Sequence, residues 1–179
     1  FSGNSAAMGG GAISGSAAAP TVVNSILTQN GDELSAGTSP DNFQHSFIDV
    51  PDIGPFPVTN INGTAGLARL PDHGGDGWGD DLSTPGVDEG ANDDWGDLSL
   101  TGAAPCINTG DTAAVAPDFA DIDGDGDTSE PAPFDLSRRP RVQWGSVDMG
   151  AHEYSRWMRE PGTTYVYGIT RISWGALED

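Results

Sequence analysis

The chain has 179 residues, of which 27 are Asp or Glu and seven are basic, for a formal net charge of −20. All seven basic residues are Arg; there is no Lys. So acidic a chain is a poor general binder of nucleic acid or of anionic membranes, no run of about 18 apolar residues offers direct membrane insertion, and the single Cys106 excludes an internal disulfide or a Cys-based zinc site. Only 33 residues are Leu, Ile, Val or Phe, and scarce aliphatics with high charge are the compositional mark of disorder. A folded state must therefore draw on a regular backbone ladder, bound cations or a partner. The 26 Gly and 13 Pro point to many turns and few long helices. Phe1 falls in mid-pattern, as expected of the C-terminal portion of a longer protein.

A short repeat opens the chain. Asn4-Ser5-Ala6, Asn24-Ser25-Ile26-Leu27 and His45-Ser46-Phe47-Ile48 resemble one another, with Ser at 5, 25 and 46. A period near 20 with one short apolar strand per repeat is the signature of a solenoid. Val22-Val23 and Phe43 precede two of the matches, and Met8 to Ile13 and Asn30-Gly31 supply corners. Successive coils stack about 4.8 Å apart, so the backbone bonds from coil to coil and small inward residues suffice. Asn4 and Asn24 are expected to stack in one corner column. The repeat fades from residue 51, and short strands are expected around Ile61 and Leu67–Leu70. Residues 71–104 then comprise an acidic, Gly-rich loop, with nine acids in 71–97 and no Arg or Lys, and a strand restart at Asp97–Leu100. Residues 105–154 carry the densest motifs. The tail, 155–179, alternates in the manner of a strand over 164–174.

Three boxes follow in order. Ala104-Pro105-Cys106-Ile107-Asn108-Thr109-Gly110-Asp111 is like S-P-C-I-D-A-G-D. Asp135-Leu136-Ser137-Arg138-Arg139-Pro140-Arg141 is like D-L-x-G-x-x-R. Val147-Asp148-Met149-Gly150-Ala151-His152-Glu153-Tyr154 is close to V-D-M-G-A-Y-E-Y. Over residues 1–154 the chain resembles the C-terminal region of secreted bacterial right-handed parallel β-helix repeat proteins, with a choice-of-anchor type ending. The resemblance implies an all-β fold: terminal β-helix coils over 1–70 and an irregular, loop-rich capping region over 105–154. It also implies an extracellular or cell-surface location, upstream coils as the immediate partner, and Asp111, Asp135, Arg141, Asp148 and Glu153 as structural residues of the cap. The boxes are expected to cover the open edge of the last coil, since such edges invite aggregation. Asn108 stands where Asp is usual, and Arg138-Arg139 replaces Gly-Asn, which puts turn geometry and ion pairing there in question.

The sharpest chemical motif is Asp121-Ile122-Asp123-Gly124-Asp125-Gly126-Asp127. Alternate acids let several carboxylates converge on one ion, and Gly126 permits a sharp turn, as in the first half of a calcium loop. Position 12 of an EF-hand would be Ala132, and no helix pair flanks the loop, so this is not an EF-hand. The expectation is a shorter calcium loop of Asp121, Asp123, Asp125 and Asp127, completed by Glu130, with Asp118, Asp135 or a backbone carbonyl as further donors. Asp76, Asp80, Asp81, Asp93 and Asp94 form a second candidate metal loop. Its rival is a hydrated loop pinned by Trp78 and Trp95.

His45, His73 and His152 are widely separated and read as structural. Cys106 reads as a buried inert thiol. Trp144, Trp157 and Trp174 are expected to pack the solenoid end. The leading reading is a non-catalytic structural or interaction module with self-association, cell-surface or polysaccharide partners. The alternative is a polysaccharide lyase or hydrolase, or its carbohydrate-binding portion. In it the Arg138, Arg139 and Arg141 cluster would serve as the basic element beside a calcium-bound acidic sugar.

Overall fold

The computed structural model describes residues 2–4, 10–14, 21–31, 33–35, 38–49, 57–74, 78 and 89–155. Ser5, Asp76, Asp80, Asp81, the 164–174 strand, Trp157 and Trp174 lie outside the described residues. Strands β1 (Val22–Val23) and β2 (Ile26–Leu27) are followed by β3 (Phe43–Gln44) and β4 (Phe47–Ile48). β1 pairs with β3 and β2 with β4, both parallel: Val22 faces Phe43 and Ile26 faces Phe47. The same 21-residue offset joins Ser25 N–H to the Ser46 hydroxyl (3.3 Å). Ile13 and Leu34 make another parallel bridge. A further rung comes after only 14 residues, where Ser46 N–H donates to Asn60 Oδ1 (3.0 Å) and Ile61 bridges Phe47. That shortened spacing hid the rung from a search for a period of 20.

The corners repeat as closely as the strands. Asn24 and His45 each separate two strands of one rung, at φ 53° and 46°, a left-handed conformation costly for most side chains. The next residue turns the chain in the same way each time. Ser25 Oγ donates to Val23 O (3.0 Å) and Ser46 Oγ to Gln44 O (2.9 Å). The expected Asn4–Asn24 column is corrected. Asn4 instead meets Asn30, its N–H and side-chain amide donating to Asn30 Oδ1 at 3.0 and 2.9 Å. Asn30 is in turn held by Glu33, whose carboxylate accepts from its backbone (2.9 Å) and its amide (2.6 Å). The Asn24 amide is used elsewhere, as shown below.

Adjacent residues of a strand face opposite ways, and here both directions are buried. Leu27, Leu34, Phe43 and Ile48 form one cluster, with Ile13 and Val22 against it. Ile26 and Phe47 point into a second, shared with Ala65, Leu100, Ala104, Cys106 and Met149. Coverage on both faces is what a parallel pair requires. β5 (Leu67–Arg69) and β6 (Asp97–Leu100) are antiparallel, Leu67 opposite Leu100, so the acidic segment is a long excursion between paired strands. Among the described residues the other elements are short 3-10 turns, at Pro40–Asn42, Glu89–Asn92 and Thr112–Ala114. Among the described residues no helix is long and apolar enough to cross a membrane.

The boxes do not sit over the last rung alone. They lie along the flank and grip two successive corners. Asn24 Oδ1 accepts from Asp111 N–H (2.6 Å) while Asn24 Nδ2 donates to Asp111 O (2.8 Å). Gly150 N–H donates to Asn24 O (2.8 Å). One rung on, His45 Nδ1 donates to Thr109 O (3.1 Å). Close approach explains two glycines. A Cβ on Gly110 would lie 2.7 Å from Val147 Cγ2 and 3.0 Å from Asn24 Oδ1, and one on Gly150, at φ +99°, would lie 2.9 Å from Ile26 Cδ1.

Asn24→Ala loses both amide bonds to Asp111 and puts Ala in a left-handed corner, and should cost about 2–4 kcal/mol in urea unfolding. Asn24→Gly keeps the corner and loses only the bonds, so it should cost less by about 1 kcal/mol. Near-wild-type stability of the Ala variant would show that the corner does not anchor the boxes.

Candidate metal centre

The acidic loop is closed at its base by backbone pairing. Asp118 N–H donates to Glu130 O and Ala132 N–H to Ala116 O, both at 2.8 Å, with Pro117 opposite Pro131. Within it the alternate acids form a chain of tight turns, each carboxylate accepting from a backbone N–H further on. Gly126 donates to Asp121 Oδ1 (3.1 Å), Asp125 to Asp123 Oδ1 (3.2 Å), and Asp127 to Asp125 Oδ1 (2.7 Å). Asp127 Oδ1 receives both Ser129 N–H (2.9 Å) and Ser129 Oγ (2.6 Å). Those two bonds, the hydroxyl's first, hold its carboxyl below the ordinary range. Positive φ at Asp121 (51°), Gly124 (79°) and Gly126 (89°) winds the loop tightly.

Carboxylate oxygens of Asp118, Asp123 and Glu130 lie within 4.8 Å of one another, as do those of Asp121, Asp123 and Asp125. The sequence reading named Asp121, Asp123, Asp125, Asp127 and Glu130 as one set. The structure divides it: Asp127 belongs to neither group, Asp123 to both, and Asp118 enters beside Glu130. Asp118 is 1% exposed. Its Oδ2 is fixed by Ile122 N–H (2.7 Å), while Asp118 Oδ1 and Glu130 Oε1 are buried with no hydrogen-bond partner. Burial of the Glu130 carboxylate, and then the charges of Asp125, Asp123, Asp127 and Asp118, push Glu130 above the ordinary range. The alternation pattern does not contain Asp118. The signal that finds it is the antiparallel closure, which brings position 118 opposite 130.

Asp135 is not a donor to this loop. Its Oδ1 accepts from Arg139 N–H (2.7 Å) and its Oδ2 from Glu153 N–H (2.8 Å). It belongs to the cap, where Arg141 Nη1 pairs with Glu153 Oε1 (2.6 Å), Arg139 Nη1 donates to Glu153 O (2.9 Å), and Asp148 N–H reaches both Glu153 oxygens. Asp148 Oδ1 accepts from Asn108 N–H (2.7 Å) and its Oδ2 from Tyr154 N–H. Asp135, Arg141, Asp148 and Glu153 thus form one network, while Asp111 stands apart at the Asn24 corner and caps the Thr112–Ala114 turn through Ala113 N–H. The two departures from the box pattern both fall at left-handed positions, Asn108 (φ 55°) and Arg138 (φ 59°). Arg138 is exposed there; Asn108 is a residue that tolerates the conformation.

Of the second candidate loop, Asp93 and Asp94 are described, and among the described residues neither joins a carboxylate group suited to an ion. Asp94 instead pairs with Arg69 across the β5–β6 strands and accepts from Gly96 N–H (2.9 Å). The Arg that 71–97 lacks is supplied from just outside it. Trp78 and Trp95 stack with ring centroids 4.8 Å apart, and Trp78 Nε1 donates to Gly3 O (3.0 Å). His73 meets Trp78 edge-on, and His152 Nδ1 bonds the Ser137 hydroxyl (2.8 Å). Trp144, expected to pack, is 84% exposed, because the tight Gln143–Ser146 turn projects it outward. Cys106 is fully buried, and burial, then Asp148, pushes its thiol up to about 12.

No protein-family model, curated protein or solved structure matches the chain. The β-helix resemblance rests on the quoted boxes alone.

Two measurements check this account. Burial, then the charge of Asp148, raises Glu153 from 4.5 to about 7 against the pull of Arg141. Between those values the folded chain keeps a proton that the unfolded chain has released, so stability falls as pH rises from about 4.5 to 7. Glu153→Gln should flatten that decline in calcium-free urea melts, and an equal slope in the variant would show another group is responsible. Cys106 should resist thiol reagents at neutral pH until denaturant is added; rapid native labelling would contradict its burial.

Proposed function

We propose that the chain is a non-catalytic structural and interaction module, the C-terminal end of an extracellular or cell-surface right-handed parallel β-helix protein, stabilised by calcium in the loop 118–130. The observation that carries the reading is the flank clasp. Parallel rungs at a 21-residue offset present stacked corners, Asn24 and His45, and the boxes bond to both while Cys106 and Met149 cover Ile26 and Phe47. Such a clasp suits the place where a solenoid ends, because neighbouring coils no longer hold the outer face of the sheet. Upstream coils are its immediate partner. The exposed acids of the 121–127 loop and Arg138 are surface for self-association or for a cell-surface or polysaccharide partner.

The complete gene product tests the reading. A cleavable leader and further repeats of about 20 residues upstream of Phe1 are expected, and an independent start at residue 1 would overturn it. Incubation with uronic-acid and sulfated polysaccharides should yield no unsaturated or reducing-end products. Turnover that Arg141→Ala abolishes without unfolding the chain would replace this reading with the enzymatic one.

A further inference from the structure

We infer that the calcium ion of this loop is held at its base, by Asp118, Asp123 and Glu130, rather than by the alternating acids at its tip; the inference rests on the calcium part of the proposed function. The two kinds of acid differ in whether an oxygen left without a partner is enclosed. Asp121, Asp123, Asp125 and Asp127 each have one oxygen committed to a backbone N–H of the loop. Asp127 is spent further on the Ser129 hydroxyl and joins no group. At the base, Asp118 Oδ1 and Glu130 Oε1 are enclosed and have no partner.

The enclosure matters more than the number of charges. An exposed carboxylate is hydrated, and a cluster of them on a loop needs no ion. Asp118 is 1% exposed, and a buried charged oxygen without a partner carries a desolvation cost of several kcal/mol. Its side chain cannot swing out, because Ile122 N–H holds the other oxygen at 2.7 Å and Asp118 N–H is paired with Glu130 O. The Asp118 carboxylate is therefore fixed beside those of Glu130 and Asp123, one oxygen of each lying within 4.8 Å of the others. An ion with oxygen distances of about 2.3–2.6 Å spans that spread from its centre. Three carboxylates with no nitrogen or sulfur donor select a hard cation, and an irregular loop without octahedral geometry suits calcium better than magnesium. Asp123 is the one tip residue that reaches the base, so the ion ties the tip to both ends of the loop.

The test is calcium titration by calorimetry, with thermal unfolding in chelator and in calcium, on the full chain. Wild type should bind and gain thermal stability. Asp118→Asn and Glu130→Gln should each weaken binding by about tenfold or more, and Asp127→Asn should stay within about threefold, since affinity follows the charge and number of ligands. In chelator Glu130→Gln should melt higher than wild type, because one of several crowded like charges is gone; this arm holds even where Asp118→Asn fails to fold. Wild-type binding that survives Glu130→Gln but is lost in Asp127→Asn or Asp121→Asn would overturn the base site and leave calcium in place. No heat and no thermal shift with calcium in wild type would overturn the site and the calcium part of the function together, leaving the flank clasp to its own test.

Discussion

The structure depends on two corner residues in the left-handed region. Asn24 and His45 end one strand and begin the next with a reversal few side chains accept. Each then offers its side chain sideways to the C-terminal boxes, Asn24 to the backbone of Asp111 and His45 to the carbonyl of Thr109. One feature therefore solves two problems. It joins the two strands of one rung, β1 to β2 and β3 to β4, and it satisfies backbone groups of a segment with almost no regular structure of its own. Irregular chain can be buried only where such partners exist. This is why a region as loop-rich as 105–154 still encloses Cys106, Val147 and Met149.

The acids sort by whether their charge is answered. In the cap, Glu153 is 2% exposed but its carboxylate meets Arg141 and the backbone N–H of Asp148, which reaches both oxygens. Asp135 and Asp148 are buried with both oxygens engaged. A buried carboxylate is tolerable when paired and hydrogen-bonded, and costly otherwise. By that standard the base of the 118–130 loop is the exception. Asp118 Oδ1 and Glu130 Oε1 are enclosed there with no hydrogen-bond partner among the described residues. The seven Arg do not have to be spread over 27 acids, because most acids at the tips are hydrated and only the buried ones demand an answer.

How far the sequence could be read follows from what each feature demands locally. The rungs at 22–27 and 43–48 were legible because the same residue types recur at nearly constant spacing. A short strand around Ile61 is expected from the sequence, but its pairing with Phe47 is not, since it follows after 14 residues, nor is the pairing of Asn4 with Asn30, 26 residues away. Both depend on how much chain loops out between rungs, which composition does not set. The cap acids could be named from the boxes, but their sorting could not: Asp111 goes to a coil corner, whereas Asp135, Asp148 and Glu153 share one network. In the acidic loop, alternation marks residues 121–127 and describes which acids can turn the backbone. Which acids are enclosed is decided by closure between 118 and 130, a contact with no periodic signature.

The loop base and the cap are joined by very little chain. Ala132 N–H closes the loop on Ala116, the next carbonyl, Pro133 O, accepts from Arg141 N–H at 2.8 Å, and Asp135 follows with its bonds to Arg139 and Glu153. Residues that shape the ion site at one end therefore fix, within three positions, the strand on which the Arg141–Glu153 pair is mounted. A cation holding Asp118 to Glu130 would order that strand's entry and so the geometry of the buried pair, which is sensitive because an Arg a few tenths of an ångström out of place leaves a buried carboxylate short of its partner. Acid content that looks like surplus charge in the composition thus has a mechanical consequence. A bound cation would place an ion-dependent closure directly upstream of the network that holds the boxes together, and Gly150, two residues after Asp148, bonds the Asn24 corner between β1 and β2.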